Sequence, residues 1–201
     1  MKKIILALLV VIMAMAPVMA DESWVGADLG VPIGITSVYD STLTLTNLEG
    51  TVRGAFYFDR AETIGVGASI GFGGLLNATI EGQSEKLFDN FVLAPAVTFQ
   101  YRLELNDDMD LRFGLGMAYE HMFVTDELMP SNVSISYGSV QIAAEASFVY
   151  RFDQIGIVAG VDIGVPVYTY TAASSGSESA THKMDQYGVV IAPRVGVSYA
   201  L

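Results

Sequence analysis

From residue 23 to residue 201 one pattern recurs eight times: apolar side chains on every second residue, with glycine, polar and charged residues between them. The segments fall near 23–34, 43–58, 64–75, 90–105, 111–124, 140–151, 155–170 and 187–201. A period of two is that of a β-strand, whose successive side chains point to opposite faces. In the fifth segment Leu111, Phe113, Leu115, Met117 and Tyr119 share one face, and Arg112, Gly114, Gly116, Ala118 and Glu120 the other. The sixth sets Val140, Ile142, Ala144, Ala146, Phe148 and Tyr150 against Gln141, Ala143, Glu145, Ser147 and Arg151. The eighth sets Val189, Ile191, Val195, Val197 and Tyr199 against Arg194, Gly196, Ser198 and Ala200.

Charge makes the pattern decisive. The mid-segment charges Asp28, Glu49, Arg53, Arg102, Arg112, Glu120, Glu145, Asp162 and Arg194 all lie opposite the apolar series. A charge on a lipid-facing strand position near the bilayer midplane costs about 2–4 kcal/mol. A soluble barrel would hold its apolar residues inside and its charges outside. Here the uniform apolar face suits lipid, and the charged, glycine-rich face suits a lumen. The expected fold is all-β: an eight-stranded antiparallel up-and-down transmembrane β-barrel.

The connections agree. Three are short, at 59–63, 106–110 and 153–154, and four are long, at 35–42, 76–89, 125–139 and 171–186. Short periplasmic turns opposite long extracellular loops are the habit of outer-membrane barrels. Aromatic residues cluster at both strand ends on the outward phase. Phe56, Phe58, Phe99, Tyr101, Phe113, Phe148, Tyr150 and Tyr199 lie toward the short turns, and Phe72, Phe91, Tyr119, Phe123 and Tyr187 toward the long loops. Two interfacial girdles follow.

The stretch "IGVGASIGFGG" at 64–74 has nearly the glycine spacing of a dinucleotide loop. Its glycines keep the strand period, however, and no helical pattern follows, so the context a phosphate loop requires is missing. Gly65, Gly67, Gly71 and Gly73 instead share the lumen phase, as do Gly114, Gly116, Gly156, Gly160, Gly164, Gly188 and Gly196. Two accounts stay open: tight curvature of a narrow filled barrel, or space left for water. On this reading Gly116→Ser, into the lumen, should cost far less than Leu115→Arg, into lipid.

Residues 1–20, "MKKIILALLVVIMAMAPVMA", carry a basic start, a short apolar core and a small-residue site at Val18-x-Ala20, as in a cleaved export signal. The barrel domain is then expected over 21–201. Without Lys2 and Lys3 it holds eight Lys and Arg against 22 Asp and Glu, a net charge of −14. That balance argues against nucleic acid as a partner. With no cysteine there are no disulfides and no thiolate metal sites. Mean hydropathy of +0.45 is high for an exported chain, and alternating strands facing lipid account for it.

The last eight residues, "RVGVSYAL", resemble the assembly signal of bacterial outer-membrane barrels, a polar residue, glycine, aromatic and terminal hydrophobe in fixed spacing. Arg194, Gly196, Tyr199 and Leu201 fall in register, with Leu201 in the place usually held by Phe. Over 21–201 the chain resembles in architecture the small eight-stranded barrels, the group of OmpX, OmpW and the OmpA transmembrane domain. The resemblance implies a monomer in the outer membrane, bounded by outer-membrane lipid and inserted by the barrel assembly machinery. It implies no cofactor.

Inside the lumen, Asp28, Arg53, Gln100, Glu145, Asp162 and Arg194 lie at similar heights, so a paired network over Asp28, Arg53, Glu145, Asp162 and Arg194 is expected. It reads as a structural plug, or as a gate whose pairs exchange partners. Glu49 and Glu120, nearer the loops, lack an obvious Arg, which favours cations. Some eight-stranded barrels modify lipid A, but His121 is followed by Met122 rather than by the Ser of lipid A deacylases, and His182 sits in the last loop. The functional expectation is a non-enzymatic structural or surface-interaction barrel with no catalytic or metal site. The alternative is a narrow cation-preferring pore or conduit for small solutes, hydrophobic ones included. An extracellular ligand would meet the long loops, of which 171–186 is Ser/Thr/Ala/Gly-rich and expected to be mobile.

Overall fold

The computed structural model describes residues 22–38, 41–58, 63–81, 83–85, 90–124, 133–175, 178–184 and 187–201. The expected export signal at 1–20 lies outside the described residues. Among them every regular element is a strand: β1 (Glu22–Gly30), β2 (Ile33–Val38), β3 (Ser41–Tyr57), β4 (Ile64–Ile80), β5 (Gln83–Glu85), β6 (Asn90–Asn106), β7 (Met109–Val124), β8 (Val133–Phe152), β9 (Ile155–Ser175), β10 (Glu178–Met184) and β11 (Tyr187–Ala200).

Nine of these build a wall of eight strands, since β1 and β2 form one strand interrupted at Val31 and Pro32. Proline has no N–H to give a ladder. The neighbours close around it all the same: Val31 N donates to Pro193 O at 3.0 Å, and Pro32 O accepts from Asn47 N at 2.9 Å. Antiparallel pairing then runs β1/β2–β3–β4–β6–β7–β8–β9–β11. β11 returns to β1, with Trp24 opposite Ala200 and Gly30 opposite Arg194, so the ring closes without a free edge. Closure matters in lipid, where an unpaired strand edge has no water to bond.

Burial follows the alternation. Along β6, Val97, Phe99, Tyr101 and Leu103 are exposed at the outer face while Thr98, Gln100 and Arg102 are buried inside. Along β7, Leu115 and Met117 are 63% and 58% exposed, whereas Arg112 is buried. The girdle at the loop end is continuous: Phe72–Phe91 and Phe91–Phe123 centroids are 6.5 and 6.3 Å apart, and His121 packs edge-on against Phe123 at 4.3 Å.

The strands outrun the sequence pattern on the loop side. β8 and β9 have 20 and 21 residues, against the roughly 9–11 needed to cross a bilayer. The segment at 171–186, read as a mobile loop, is largely hairpin: β9 continues to Ser175 and β10 pairs back on it, Thr171 opposite His182. Outside the membrane a ladder persists without apolar alternation, because water can solvate both faces. That is why the pattern did not reveal it.

The lumen as candidate functional site

Asp28 on β1, Arg53 on β3, Glu145 on β8, Asp162 on β9 and Arg194 on β11 come together inside the barrel. The Arg53 guanidinium lies 2.5 Å from Asp28, 2.9 Å from Glu145 and 3.0 Å from Asp162. Arg194 approaches the same three carboxylates at 3.5, 3.5 and 2.8 Å. Thr98 Oγ1 donates to Glu145 Oε1 at 2.8 Å, and Gln100 Nε2 also donates to that oxygen. Asp28, Arg53 and Arg194 are almost wholly shielded from solvent. Buried charges persist only when paired and bonded, and here each carboxylate meets both guanidiniums.

A second tier lies toward the short-turn end. The fully buried carboxylate of Asp110 lies 2.8 Å from Arg112, 3.7 Å from Arg102 and 3.5 Å from Arg151. Arg102 and Arg151 also reach the half-exposed Glu104, at 3.8 and 3.1 Å. Arg112 stacks over the Trp24 ring at 4.5 Å and Arg102 over Tyr57 at 5.8 Å, contacts worth about 0.5–2 kcal/mol each. Sequence reasoning placed Arg102, Arg112 and Arg151 in the lumen but left Asp110 in the turn. Its even number, shared with Arg112 on the same strand, was the available signal.

Three glycines on the lumen phase stand opposite long polar side chains. A Cβ at Gly114 would land on the Glu145 carboxylate, one at Gly71 on Glu49, and one at Gly164 on the Gln141 amide. These three vacate volume that a neighbour's long polar side chain then fills, whereas Gly73, Gly116 and Gly188 stand against the backbone of the paired strand.

Above the network lies a cavity of about 110 Å³ walled in part by Glu49, Glu120, Gln141 and Glu145. Thr51 Oγ1 donates to Glu49 and Gln141 Nε2 to Glu120, both at 3.1 Å. Among the described residues neither Glu49 nor Glu120 has a Lys or Arg partner. Beyond them, toward the long connections, the lumen opens into a cup of about 240 Å³ lined by Leu43, Leu45, Met122, Val124, Ile135 and Val190 among others. An apolar lumen end departs from the polar interior expected on the sequence.

The match of residues 6–201 to the family model for the outer membrane protein beta-barrel domain decides the family. The chain belongs to the outer-membrane β-barrel proteins. Its place is therefore the outer membrane. No curated protein matches the sequence. Among solved structures, this barrel is similar in fold to OprG from Pseudomonas aeruginosa, at 16% identity over 91% of this chain and 97% of that one, with a TM-score of 0.61. It is likewise similar to Neisserial surface protein A, at 9% identity over 88% and 96%, TM-score 0.57. The attachment invasion locus protein Ail of Yersinia pestis gives 17% identity over 91% and 100%, TM-score 0.51.

The remaining candidates of this outer-membrane barrel divide by position. Arg194 belongs to the network, and Gly196 packs against Asp28. Tyr199 faces outward and bonds Gln154 at 2.6 Å, while the Leu201 N–H donates to Ser23 O at 2.8 Å. His121 Nδ1 lies 2.7 Å from Tyr119 Oη, which is 2.7 Å from Tyr170 Oη. Tyr170 reaches that outer cluster because a bulge in the β8–β9 ladder near Val140 and Gln141 shifts the β9 phase. Tyr168, 44% exposed, turns outward there too. His182 is exposed on β10. Among the described residues no group of three or more His, Asp or Glu side chains is arranged to hold a metal ion.

Proposed function

We propose that this outer-membrane barrel is sealed and non-enzymatic, and that it serves as a structural and surface-interaction protein. The carrying observation is the reach of Arg53 across the lumen to Glu145 at 2.9 Å, in the middle of a network that occupies the bore. The Asp110 tier stands beneath it as a second closure. On this reading the protein is a monomer inserted by the barrel assembly machinery through the C-terminal signal at Arg194, Gly196, Tyr199 and Leu201. The absence of enzymatic activity is supported by the surroundings of His121. Activated nucleophiles need a base within hydrogen-bond reach, and the hydroxyls bonded to His121 belong to girdle tyrosines.

Surface interaction draws support from similarity in fold to a Neisserial surface protein and to an attachment invasion locus protein. The latter has been crystallised with the heparin analogue sucrose octasulfate. The net charge of −12 on the present chain disfavours such a polyanion here. The pore reading keeps one observation in its favour, the cavity of about 110 Å³ beside Glu49 and Glu120. Single-channel recording of refolded protein in a planar bilayer separates the two. A sealed barrel leaves the bilayer at baseline, whereas steady cation-selective steps would replace the plug with the pore.

A further inference from the structure

We propose that the extracellular cup binds a small apolar cation, an alkyl- or arylammonium, with its hydrocarbon on the aliphatic wall and its charge toward Glu120. Three observations converge. The cup, at about 240 Å³, is smaller than the ~300 Å³ and more of drug-sized ligand pockets, which limits an occupant to a small molecule. Nine of its twenty lining residues are Leu, Ile, Val or Met, which favour hydrocarbon.

Its floor is acidic. Glu120 is the one carboxylate on the cup wall, and no Lys, Arg or His lines it among the described residues. Glu120 also borders the smaller cavity, where Glu49 lies beneath it. Gln141 donates to Glu120 Oε2, and among the described residues no hydrogen bond reaches Oε1. A partly dry carboxylate without a countercharge is costly, and a cation at the cup floor would supply one.

The third observation is charge. The long connections of the sequence, 35–42, 76–89, 125–139 and 171–186, are acidic in composition, with eight Asp and Glu against Lys86 and Lys183. The network below adds three carboxylates against two guanidiniums. The cup therefore stands over a net negative region in an acidic chain, and fields of this kind concentrate cations and repel anions. The site does not depend on whether the lumen conducts.

Isothermal titration of the barrel in zwitterionic nanodiscs, with empty nanodiscs as reference, tests this with three probes of matched chain length: hexyltrimethylammonium, 1-hexanol and hexanesulfonate. The cation should bind saturably and about tenfold or more tighter than either other probe. Glu120→Gln should weaken it about tenfold, which is ~1.4 kcal/mol, while hexanol binding stays unchanged. Glu49→Gln should act in the same direction more weakly, and Glu81→Gln on the outer rim should do nothing. Heat-shifted migration in SDS gels establishes that each variant folds; should Glu120→Gln not fold, the probe series on the unaltered barrel and Glu49→Gln decide. Equal affinity for the three probes, no saturable binding above empty discs, or a folded Glu120→Gln barrel of unchanged affinity overturns the proposal.

Discussion

Arg53 and Glu145 stand on diametrically opposite strands, four places apart in the ring of eight, and meet at 2.9 Å. The pair is therefore a strut across the bore, unlike an ion pair between neighbouring strands. The lower tier repeats the device, since Arg112 on β7 reaches across to the ring of Trp24 on β1. In a barrel so narrow, opposite walls are within reach of one arginine. The lumen can then be held by side-chain contacts as well as by the ladder.

Removing the strut should be costly. Arg53→Ala leaves Asp28, Glu145 and Asp162 with Arg194 alone, and stranding a buried carboxylate costs about 3–5 kcal/mol. Urea unfolding in lipid vesicles should show that loss, and Glu145→Ala combined with Arg53→Ala should lose less than the sum of the single changes. A loss below about 1 kcal/mol together with a new cation current would mean that water solvates the site and the bore is open.

Asp110 and Glu104 offer a contrast at the periplasmic end. Both face Arg102 and Arg151, but Asp110 has no exposed side-chain surface and Glu104 is 58% exposed. Asp110→Ala leaves three guanidiniums crowded without their shared carboxylate and should cost about 3–5 kcal/mol. Glu104→Ala removes a solvated pair, worth ~0–1 kcal/mol. The same unfolding measurement ranks them, and equal losses would contradict the burial assigned to Asp110.

The glycine account is tested at Gly114 and Gly50. A Cβ at Gly114 collides with Glu145 and Gln100, whereas one at Gly50 meets only the Leu29 side chain at 3.7 Å. Gly114→Ala should destabilise by about 1–3 kcal/mol through overpacking. Gly50→Ala should be neutral or stabilising by up to about 1 kcal/mol, since alanine restricts the unfolded chain. Thermal or urea midpoints of the two variants should move apart; a shared shift would sever the link between glycine and its opposing side chain.

Facing is tested by Leu115→Arg, which puts a charge into lipid and should lower folding stability by about 2–4 kcal/mol. The interior control suggested by the sequence, Gly116→Ser, is corrected by the fold: a Cβ there runs into the backbone of Val97 and Thr98. Ala118, which borders the smaller cavity, is the better control, and Ala118→Ser should cost less than about 1 kcal/mol. Normal insertion of Leu115→Arg with failure of Ala118→Ser would invert the assignment of inside and outside.

What the sequence determined by itself is the parity of the wall. Lipid tolerates no charge and a strand alternates by two, so the facing of Asp28, Arg53, Leu115 or Val197 follows from its number alone. The same parity carries Glu145 and Arg194 inward. It gives neither the partner each side chain finds nor the distance to it. Those depend on ring closure and strand stagger, which place β3 opposite β8 and let one guanidinium touch three strands. Where a bulge inserts a residue, parity itself fails, and so Tyr168 and Tyr170 turn outward although their even numbers match the inward Asp162 and Gly164. Leu43 and Leu45 share the phase of Glu49, yet the apolar cup became visible only once β3 was set against β7, β8 and β11. A cavity belongs to several strands at once, and no single strand's alternation encodes it.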